Sequence, residues 1–311
     1  MGWFKLNKVL IAFSIIFLSG DISAQSLGVQ SGVMHSLALD KNGKVYAWGG
    51  SLQGQVGNGT TSTIEFPTLV LKGEYPGTTY LGDDSDNQII AIASGQYFSL
   101  ALSEDGLVYA WGSNDKGSLG DGSTQNKTTP VKVLKGEYAG TTYLGDNASN
   151  KIIAISGGGE HALAVAEDGL VYSWGKNDYA QLGDNTDTDR STPIKVLKEE
   201  YAGTTYLGDN PDNKIIAIAA GGLHSLALAE DGLVYAWGKN VSGQLGDNTD
   251  TGKAQPVKVL AGEYNGSDPL ETYLGSDANN KITAIAAGEN HSLALGSSGI
   301  AYAWGSKYYG Q

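Results

Sequence analysis

Five tryptophans recur at a nearly constant spacing, and this periodicity limits the fold more than any other feature of the chain. Trp48, Trp111, Trp174, Trp237 and Trp304 are separated by 63, 63, 63 and 67 residues. The longer last interval contains an insertion near residues 265–270. A regular repeat of about 50 residues or more is typical of β-propellers and solenoids. We therefore expect one array of repeated units rather than two unrelated domains.

One copy of the repeat has the pattern of four short β-strands, named A to D. In the fourth copy they are KIIAIAAG (214–221), HSLALAE (224–230), LVYAWG (233–238) and PVKVL (256–260). Asp231-Gly232 between B and C is a hairpin turn signal. Four antiparallel strands repeated radially describe a propeller blade. The sequence predicts an all-β propeller over residues 25–311, with Pro256 at the start of its strand.

The C-terminus interrupts the last repeat. Residues 306–311, SKYYGQ, end where the other copies continue into strand D, so the chain contains four complete blades and strands A to C of a fifth. Unpaired blades and strand edges favour aggregation. We expect a C-terminally incomplete chain; the alternatives are a closed ring of five blades with a defective last blade, and closure through a dimer.

The N-terminus has the pattern of a secretory signal peptide. Lys5 and Lys8 precede an apolar run at residues 9–18, and Ile22-Ser23-Ala24 provides small residues for cleavage. We predict that residues 1–24 are removed and that the protein is secreted, periplasmic or at the cell surface, without membrane attachment. The alternative is a membrane anchor, for which the apolar run is short.

The repeated motif G-x-x-H-S-L-A-L-x-x-D-G-x-V-Y-x-W-G-x-N-x-x-G-Q-L-G is similar to the repeat of the regulator of chromosome condensation family. It covers essentially all of residues 25–311. The resemblance implies a propeller, with seven blades in that family. Seven units of 63 residues need a longer chain than this one, which supports the expectation of an incomplete C-terminus.

The four histidines, His35, His161, His224 and His291, each begin strand B of a different blade, where the second blade has Phe98. A catalytic or metal-binding group is needed once, whereas a packing group is needed in every unit. Blades also hold these rings too far apart to share one metal ion, whose bonds to histidine are about 2 Å long. We assign the histidines to the scaffold, with a local hydrogen bond, together with the five repeated tryptophans.

This assignment argues against an enzyme. The chain has no cysteine, and a catalytic triad would lack its base. The carboxylate pairs 104–105, 167–168 and 230–231 precede turn glycines, where they favour the turn. The acidic loops 83–86, 184–189 and 247–250 offer oxygen ligands but lack the spacing of a calcium-binding loop. We expect neither metal nor cofactor, with calcium as the alternative for these loops.

The charge of the chain excludes another class of partner. The net charge is −13, and no basic block is present to neutralise phosphates. We therefore expect no nucleic-acid binding.

The positions that differ between copies predict a binding surface. In an up-and-down blade the A–B and C–D loops lie at one rim, and most of the variation falls in these two loops. Exposed aromatic and apolar residues among charged ones are typical of protein interfaces. The predicted partner-binding residues are Met34, Leu52, Gln96, Tyr97, Lys116, Asp178, Tyr179, Leu223, Tyr308 and Tyr309.

We therefore predict an interaction scaffold whose partner is a protein. The resemblance implies a second candidate function, a guanine-nucleotide exchange factor-like regulator. A third is a carbohydrate-binding surface protein whose tyrosines stack on sugars, which leaves a glycan as a possible partner.

Overall fold

The computed structural model describes residues 28–262 and 272–308, and within them every regular element is a β-strand. Blade 1 contains β1 (Gly28–Ser31), β2 (His35–Leu39), β3 (Val45–Gly49) and β4 (Ile64–Leu69). Blade 2 contains β5 (Ile89–Ser94), β6 (Phe98–Ser103), β7 (Val108–Gly112) and β8 (Lys127–Lys132). Blade 3 contains β9 (Ile152–Gly157), β10 (His161–Ala166), β11 (Val171–Gly175) and β12 (Arg190–Lys195). Blade 4 contains β13 (Ile215–Ala220), β14 (His224–Ala229), β15 (Val234–Gly238) and β16 (Lys253–Lys258). Blade 5 contains β17 (Ile282–Ala287), β18 (His291–Gly296) and β19 (Ala301–Gly305).

Each blade is one antiparallel sheet whose strands lie in chain order. Blades 1 to 4 have four strands and blade 5 has three. The A strands of successive blades contact one another, so strand A is innermost and strand D is outermost. The predicted all-β propeller, with four complete blades and part of a fifth, is confirmed. The predicted signal peptide lies outside the described residues.

Strand D differs from the prediction at its start. Pro256 was expected to begin the strand, but it lies inside β16, which runs from Lys253 to Lys258. Proline is tolerated there because strand D is the outer edge of the sheet, where a missing N–H breaks no ladder. Pro193 is the equivalent residue of blade 3. Its backbone carbonyl accepts a hydrogen bond from the Glu137 amide at 2.9 Å.

The core lies between blades rather than within one. Between blades 1 and 2, Leu37 and Val45 of blade 1 pack against Ala101, Tyr109 and Trp111 of blade 2. Equivalent clusters fill the next three contacts between neighbouring blades, and we call each such contact a joint. Blades 2 to 4 thus bury both faces, one against the preceding blade and one against the following blade, and their B strands are wholly buried.

The repeated tryptophans cross these joints. Trp111, Trp174, Trp237 and Trp304 donate from Nε1 to a backbone carbonyl in the C–D loop of the preceding blade, that of Gln55, Ser118, Gln181 and Gln244, at 2.8–2.9 Å. Trp48 belongs to the first blade, and no such bond is present among the described residues. Its side chain is half-buried, whereas Trp111, Trp174 and Trp237 are fully buried.

A long segment joins strand D of each blade to strand A of the next, and we call it the D–A segment. After blade 2 it reads GEYAGTTYLGD, and it is hydrogen-bonded to blade 3. Glu137 of this segment donates its amide to the Pro193 carbonyl and accepts the Lys195 amide on its carboxylate at 2.8 Å. Asp146 accepts three amides and a hydroxyl from residues 141–143, which holds the turn together. These bonds lower the pKa of Asp146 to about 2, against the opposing effect of its burial. The near-identity of this segment in successive copies therefore has a structural reason.

The two ends of the array are open. On blade 5, Leu295 is 42% exposed and Ala301 and Ala303 are exposed, whereas the equivalent Leu228 and Ala236 of blade 4 are fully buried. The closed ring of five blades is therefore not the arrangement that the structure shows.

Candidate functional site

The variable A–B and C–D loops of each blade meet at the same end of the sheet. The first residue of the C–D loop donates its backbone amide to the backbone carbonyl of the last residue of the A–B loop. In blade 2 the donor is Ser113 and the acceptor is Tyr97, at 2.9 Å. The other blades repeat the bond with donor–acceptor pairs Gly50–Met34, Lys176–Glu160, Lys239–Leu223 and Ser306–Asn290. One rim therefore carries both loops of every blade, and we call it the variable rim.

Neighbouring A–B loops are also joined to each other. Val33 donates its amide to the Gln96 carbonyl, and Gln96 donates to the carbonyls of Gly158 and Gly159. Gly222 continues the series by donating to Gly288. These lateral bonds connect the blades along the rim, so its side chains project from one continuous surface on a rigid backbone.

The structure places the predicted residues together on this rim, with unequal exposure. Leu52 is 73% exposed, Tyr308 84% and Tyr179 45%, and Met34 and Asp178 are also exposed. Gln96, Tyr97, Lys116 and Leu223 are partly buried. Tyr309 lies outside the described residues. Within residues 28–262 and 272–308, half of the exposed large apolar and aromatic side chains are in the rim loops: Val33, Met34, Leu52, Tyr179, Val241 and Tyr308.

Two of these side chains, Val33 and Val241, were not among the predicted binding residues. Val33 precedes the predicted Met34, and Val241 lies between Asn240 and Ser242 in the C–D loop of blade 4. An apolar β-branched residue in such a loop is the signal that would have found them. Val33 extends the surface of Met34 and Leu52 on blade 1. Val241 extends the surface on blade 4.

Lysines on the rim already have partners within the chain. Lys176 contacts Glu160 at 2.8 Å and Asp178 at 3.6 Å, and its hydrogen bond to Glu160 raises the pKa of Lys176. Lys116 contacts Asp189 of the next blade at 3.2 Å. The Lys239 ammonium lies 5.3 Å from the centre of the Tyr179 ring. The rim is therefore a mixed surface of apolar side chains and of lysines that already contact a carboxylate or an aromatic ring.

Three of the four histidines, His35, His161 and His224, lie beneath the rim in the joints. His35 Nε2 lies 2.9 Å from the hydroxyl of Ser99, and that hydroxyl donates to the Gln55 carbonyl at 2.9 Å. His161 with Ser225 and His224 with Ser292 repeat the contact at 3.0 and 2.9 Å. The serine hydroxyl donates its proton to the backbone carbonyl of the glutamine, so it can only accept from the imidazole. Nε2 must therefore carry the imidazole proton. The expected local hydrogen bond is thus a bond between blades.

Burial decides the charge of these rings. It lowers the pKa of His35 to about 4 and those of His161 and His224 to about 3. Rings with such pKa values are neutral at pH 7 and have no access to solvent, so they are unsuited to acid–base catalysis there. Their geometry supports the scaffold role.

The blade 2 to blade 3 joint replaces this polar pair with an apolar one. Phe98 occupies the histidine position, and Ala162 occupies the serine position opposite it. Both side chains are buried in the same apolar cluster. At the other joints the serine hydroxyl donates to a backbone carbonyl of the C–D loop. The equivalent carbonyl here, that of Ser118, still accepts a hydrogen bond from the Trp174 indole.

The acidic loops hold hydrogen bonds of their own. Asp184 accepts from Asn177, Thr186 and Arg190, with the closest arginine contact at 2.7 Å. Within the described ranges, no group of three or more His, Cys, Asp or Glu side chains is placed to hold a metal ion. The same part of the chain contains no helix long and apolar enough to cross a membrane.

A small groove of about 230 Å³ lies along strand D of blade 3. It is lined by Glu137, Arg190, Lys195 and Tyr206 among others. Its charged groups serve the scaffold, because Arg190 pairs with Asp184 and Glu137 accepts the Lys195 amide.

The chain matches two family models, both described as the regulator of chromosome condensation (RCC1) repeat. The first matches residues 42–102, 105–165, 168–228 and 231–295, and the second matches 89–118, 152–181, 215–244 and 282–311. Each match of the first model begins near a B–C turn and ends in strand B of the next blade. The sequence repeat is therefore offset from the structural blade by half a unit.

Two curated relatives illustrate the similarity. The human E3 ubiquitin-protein ligase HERC2 is 31% identical over 274 residues, which are 88% of this chain and 5% of that protein. The ultraviolet-B receptor UVR8 of Arabidopsis thaliana is 30% identical over 286 residues, which are 91% of this chain and 54% of that protein. The chain spans about half of the receptor and a small part of the ligase.

Solved structures show the same fold. Human WBSCR16 aligns with a TM-score of 0.67 and 25% identity, over 91% of this chain and 60% of that one. Yeast RCC1 (Prp20), solved bound to Kap60, aligns with a TM-score of 0.50 and 25% identity, over 90% of this chain and 70% of that one.

Proposed function

The chain belongs to the regulator of chromosome condensation (RCC1) repeat family, and from this membership we propose that it acts by binding another protein through its variable rim. The observation that carries the proposal is the concentration of exposed apolar and aromatic side chains in the A–B and C–D loops. Leu52, Tyr179 and Tyr308 are examples, each in a position that the repeat does not copy. Exposed apolar side chains that cluster on one surface mark interaction sites.

The construction of the rim supports the same function. The A–B loops are hydrogen-bonded to one another and to the C–D loops, so the exposed side chains lie on a pre-organised backbone. Pre-organisation reduces the entropy lost on binding. The yeast relative was solved in complex with a protein, Kap60, which is consistent with protein recognition by a propeller of this family.

We further propose that the protein is not an enzyme. All four histidines are buried, three of them in blade joints, and the sequence has no cysteine. Among the described residues, several carboxylates near the rim are paired with lysines, as Glu160 is with Lys176. Such groups support positioning of a partner more readily than bond-breaking chemistry.

Export is a further part of the proposal. It rests on the lysines, apolar run and small residues of positions 1–24. Sequencing the N-terminus of the protein recovered outside the cell is the test. A chain that begins at Gln25 supports export with cleavage, and a chain that keeps Met1 in a membrane fraction contradicts it.

The binding experiment uses two tyrosines in matched settings. Tyr179 is on the rim with Lys239 5.3 Å from its ring centre, and Tyr273 is on the D–A segment with Lys258 at 4.7 Å. Both are partly exposed. The immobilised chain is exposed to medium conditioned by the producing cells, captured proteins are identified, and binding is repeated with the purified partner.

We expect Tyr179→Ala with Leu52→Ala to weaken partner binding by about tenfold or more, as is usual for residues at the centre of an interface. Tyr273→Ala is expected to bind as the parent does. Unchanged binding by the rim double variant, with the loss transferred to Tyr273→Ala, contradicts the proposal.

A further inference from the structure

Two lysines hold the same position in neighbouring blades of the variable rim but differ in their partners. Lys176 of blade 3 and Lys239 of blade 4 are each the first residue of a C–D loop. Lys176 contacts the carboxylates of Glu160 at 2.8 Å and Asp178 at 3.6 Å. In the described part of the chain, no carboxylate lies within ion-pair distance of the Lys239 ammonium.

Two substitutions account for this difference. Leu223 in the A–B loop of blade 4 takes the position that Glu160 has in blade 3, and Lys239 donates its backbone amide to the Leu223 carbonyl at 2.9 Å. Val241 takes the position of Asp178. Val241 is 66% exposed, and Leu223 is partly buried. Apolar side chains thus replace both carboxylates that would pair with the lysine of blade 4.

The contact that Lys239 does make leaves its charge uncompensated. Its ammonium lies 5.3 Å from the centre of the Tyr179 ring, on the preceding blade. An aromatic ring attracts a cation through its quadrupole but has no net charge. Lys239, Tyr179, Leu223 and Val241 therefore form a patch with one unpaired positive charge among apolar and aromatic groups, which we call the Lys239 site.

The Lys239 site lies away from both ends of the array. It is formed by blades 3 and 4, each of which has all four strands, and blade 5 follows them. The exposure of Val241 is a property of its loop position, since Asp115 and Asp178 at the equivalent positions are exposed as well. What distinguishes blade 4 is the chemistry of its side chains.

We infer that the Lys239 site binds a carboxylate of the protein partner, from an Asp or Glu that lies next to an aliphatic residue. This inference rests on the proposed function and specifies one contact of the rim. The partner's carboxylate supplies to Lys239 the negative charge that Glu160 supplies to Lys176. The aliphatic neighbour covers Val241 and Leu223, which shields the ion pair from water and strengthens it.

Charge makes this preference specific. The chain has a net charge of −13, so its overall field favours basic partners. Selection of an acidic segment therefore requires a local cation without an internal partner. Lys239 is such a cation, and a single ammonium matches the single negative charge of a carboxylate.

The test starts from short random peptides displayed on phage and selected on the immobilised chain. We expect enrichment of peptides in which Asp or Glu adjoins Leu, Ile or Val. One enriched peptide is synthesised together with a counterpart in which Asn or Gln replaces the acidic residue. Fluorescence anisotropy then gives the affinity of each peptide for the parent chain and its variants.

Lys239→Ala should weaken binding of the acidic peptide by at least about tenfold, and the amide peptide should bind the parent about tenfold more weakly than the acidic one. The amide peptide should bind Lys239→Ala and the parent alike, because both changes remove the same contact. Lys176→Ala is the matched control. It removes the same charge from a lysine that is already paired, so affinity should stay within about twofold of the parent.

A double variant tests the substitutions themselves. Leu223→Glu with Val241→Asp gives Lys239 the internal carboxylates that Lys176 has, and it should weaken the acidic peptide as Lys239→Ala does. A selection that enriches no acidic peptides overturns the inference. Binding that Lys239→Ala leaves unchanged, or that Lys176→Ala weakens equally, also overturns it.

Failure of this inference is distinguishable from failure of the rim proposal. The captured partner protein is measured against Lys239→Ala beside the rim variant with Tyr179→Ala and Leu52→Ala. A loss of affinity in the rim variant alone contradicts the carboxylate contact and leaves the rim proposal standing. Full affinity in both variants contradicts the rim proposal as well.

Discussion

The imidazole Nε2 of His161 lies 3.0 Å from the hydroxyl of Ser225, which is 64 residues further along the chain and in the next blade. The hydroxyl in turn donates to the Gln181 carbonyl at 2.8 Å, the same carbonyl that accepts the Trp237 indole. The Gln181 backbone oxygen thus accepts hydrogen bonds from two side chains, and the Ser225 hydroxyl links His161 to it. Phe98 and Ala162 show that the chain also has an apolar version of this joint.

The apolar version makes a substitution test possible. Ser225→Ala alone leaves the buried His161 N–H without an acceptor, so we expect a loss of about 1–3 kcal/mol in the free energy of unfolding. His161→Phe combined with Ser225→Ala reproduces the Phe98–Ala162 pair and should cost less than the single change. Urea unfolding of the parent, both single variants and the double variant measures the coupling. A double variant whose loss equals the sum of the single losses contradicts the paired role.

The buried histidines also predict a pH dependence. Their pKa values are lowered in the folded state, to about 4 for His35 and about 3 for His161 and His224. Below pH 6.5 the unfolded chain binds protons that the folded chain does not. Stability should therefore fall as the pH decreases from about 6.5 toward 3, by about 1.4 kcal/mol per pH unit for each such histidine.

The aspartates act in a lower pH range, so the two effects are separable. The folded pKa values of Asp83 and Asp146 are lowered to about 2 from 3.8, so their contribution is present above pH 3.8 and lost between there and about 2. Urea midpoints between pH 7 and 4.5 should therefore follow the histidines. The variant with His161→Phe and Ser225→Ala should show a shallower slope over that range. An equal slope contradicts the assignment.

Glu199 predicts a stabilising substitution. It has φ of 34°, in the left-handed region, at the position where Gly73 and Gly136 lie in the earlier D–A segments. A Cβ at Gly136 would lie 1.9 Å from the Pro193 carbonyl. At Glu199 the neighbouring bond, from the Glu200 amide to the Pro256 carbonyl, is 3.4 Å, against 2.9 Å for Glu137 and Pro193.

We therefore expect Glu199→Gly to raise the free energy of unfolding by about 1 kcal/mol, the usual cost of a left-handed residue with a Cβ. Thermal unfolding measures it. Gly136→Glu is the reciprocal control and should lower the melting temperature. A lower melting temperature for Glu199→Gly contradicts the account.

Two tryptophans of unequal environment test the importance of the joints. Trp237 is fully buried and donates to Gln181, whereas Trp48 is half-buried and has no such bond among the described residues. Trp237→Phe should cost about 1–3 kcal/mol through the lost bond and packing. Trp48→Phe should cost under about 1 kcal/mol. Equal losses contradict the role of the joint.

The tryptophan period and the strand patterns were sufficient to predict the blades, because the same apolar alternation recurs in every copy. The strand limits were less accessible: Pro256 was placed at a strand start, since a ring without an N–H is easily accommodated there, and the open outer edge tolerates it equally well. The bond from His161 to Ser225 could not be read from one repeat, because its two ends lie in different copies. Comparing the copies gives the clue, since Phe98 and Ala162 change together.

The candidate site was accessible from sequence only as a set of loops. Alternation of strands A to D places the A–B and C–D loops at one rim, and the bond from Ser113 to Tyr97 is consistent with that geometry. The exposure of each side chain depends on neighbours that a single repeat does not reveal. Tyr97 and Leu223 are therefore partly buried, while Val33 and Val241 are exposed.

The central claim is that the partner binds the variable rim. Its most direct test is amine-reactive cross-linking of the chain to the captured partner, with the linked lysines identified by mass spectrometry. Lys116, Lys176 and Lys239 lie on that rim, and Lys151 and Lys214 lie beside the B–C turns at the opposite one. We predict partner cross-links at the first three lysines. Cross-links confined to Lys151 and Lys214 would place the partner on the copied surface and contradict the account.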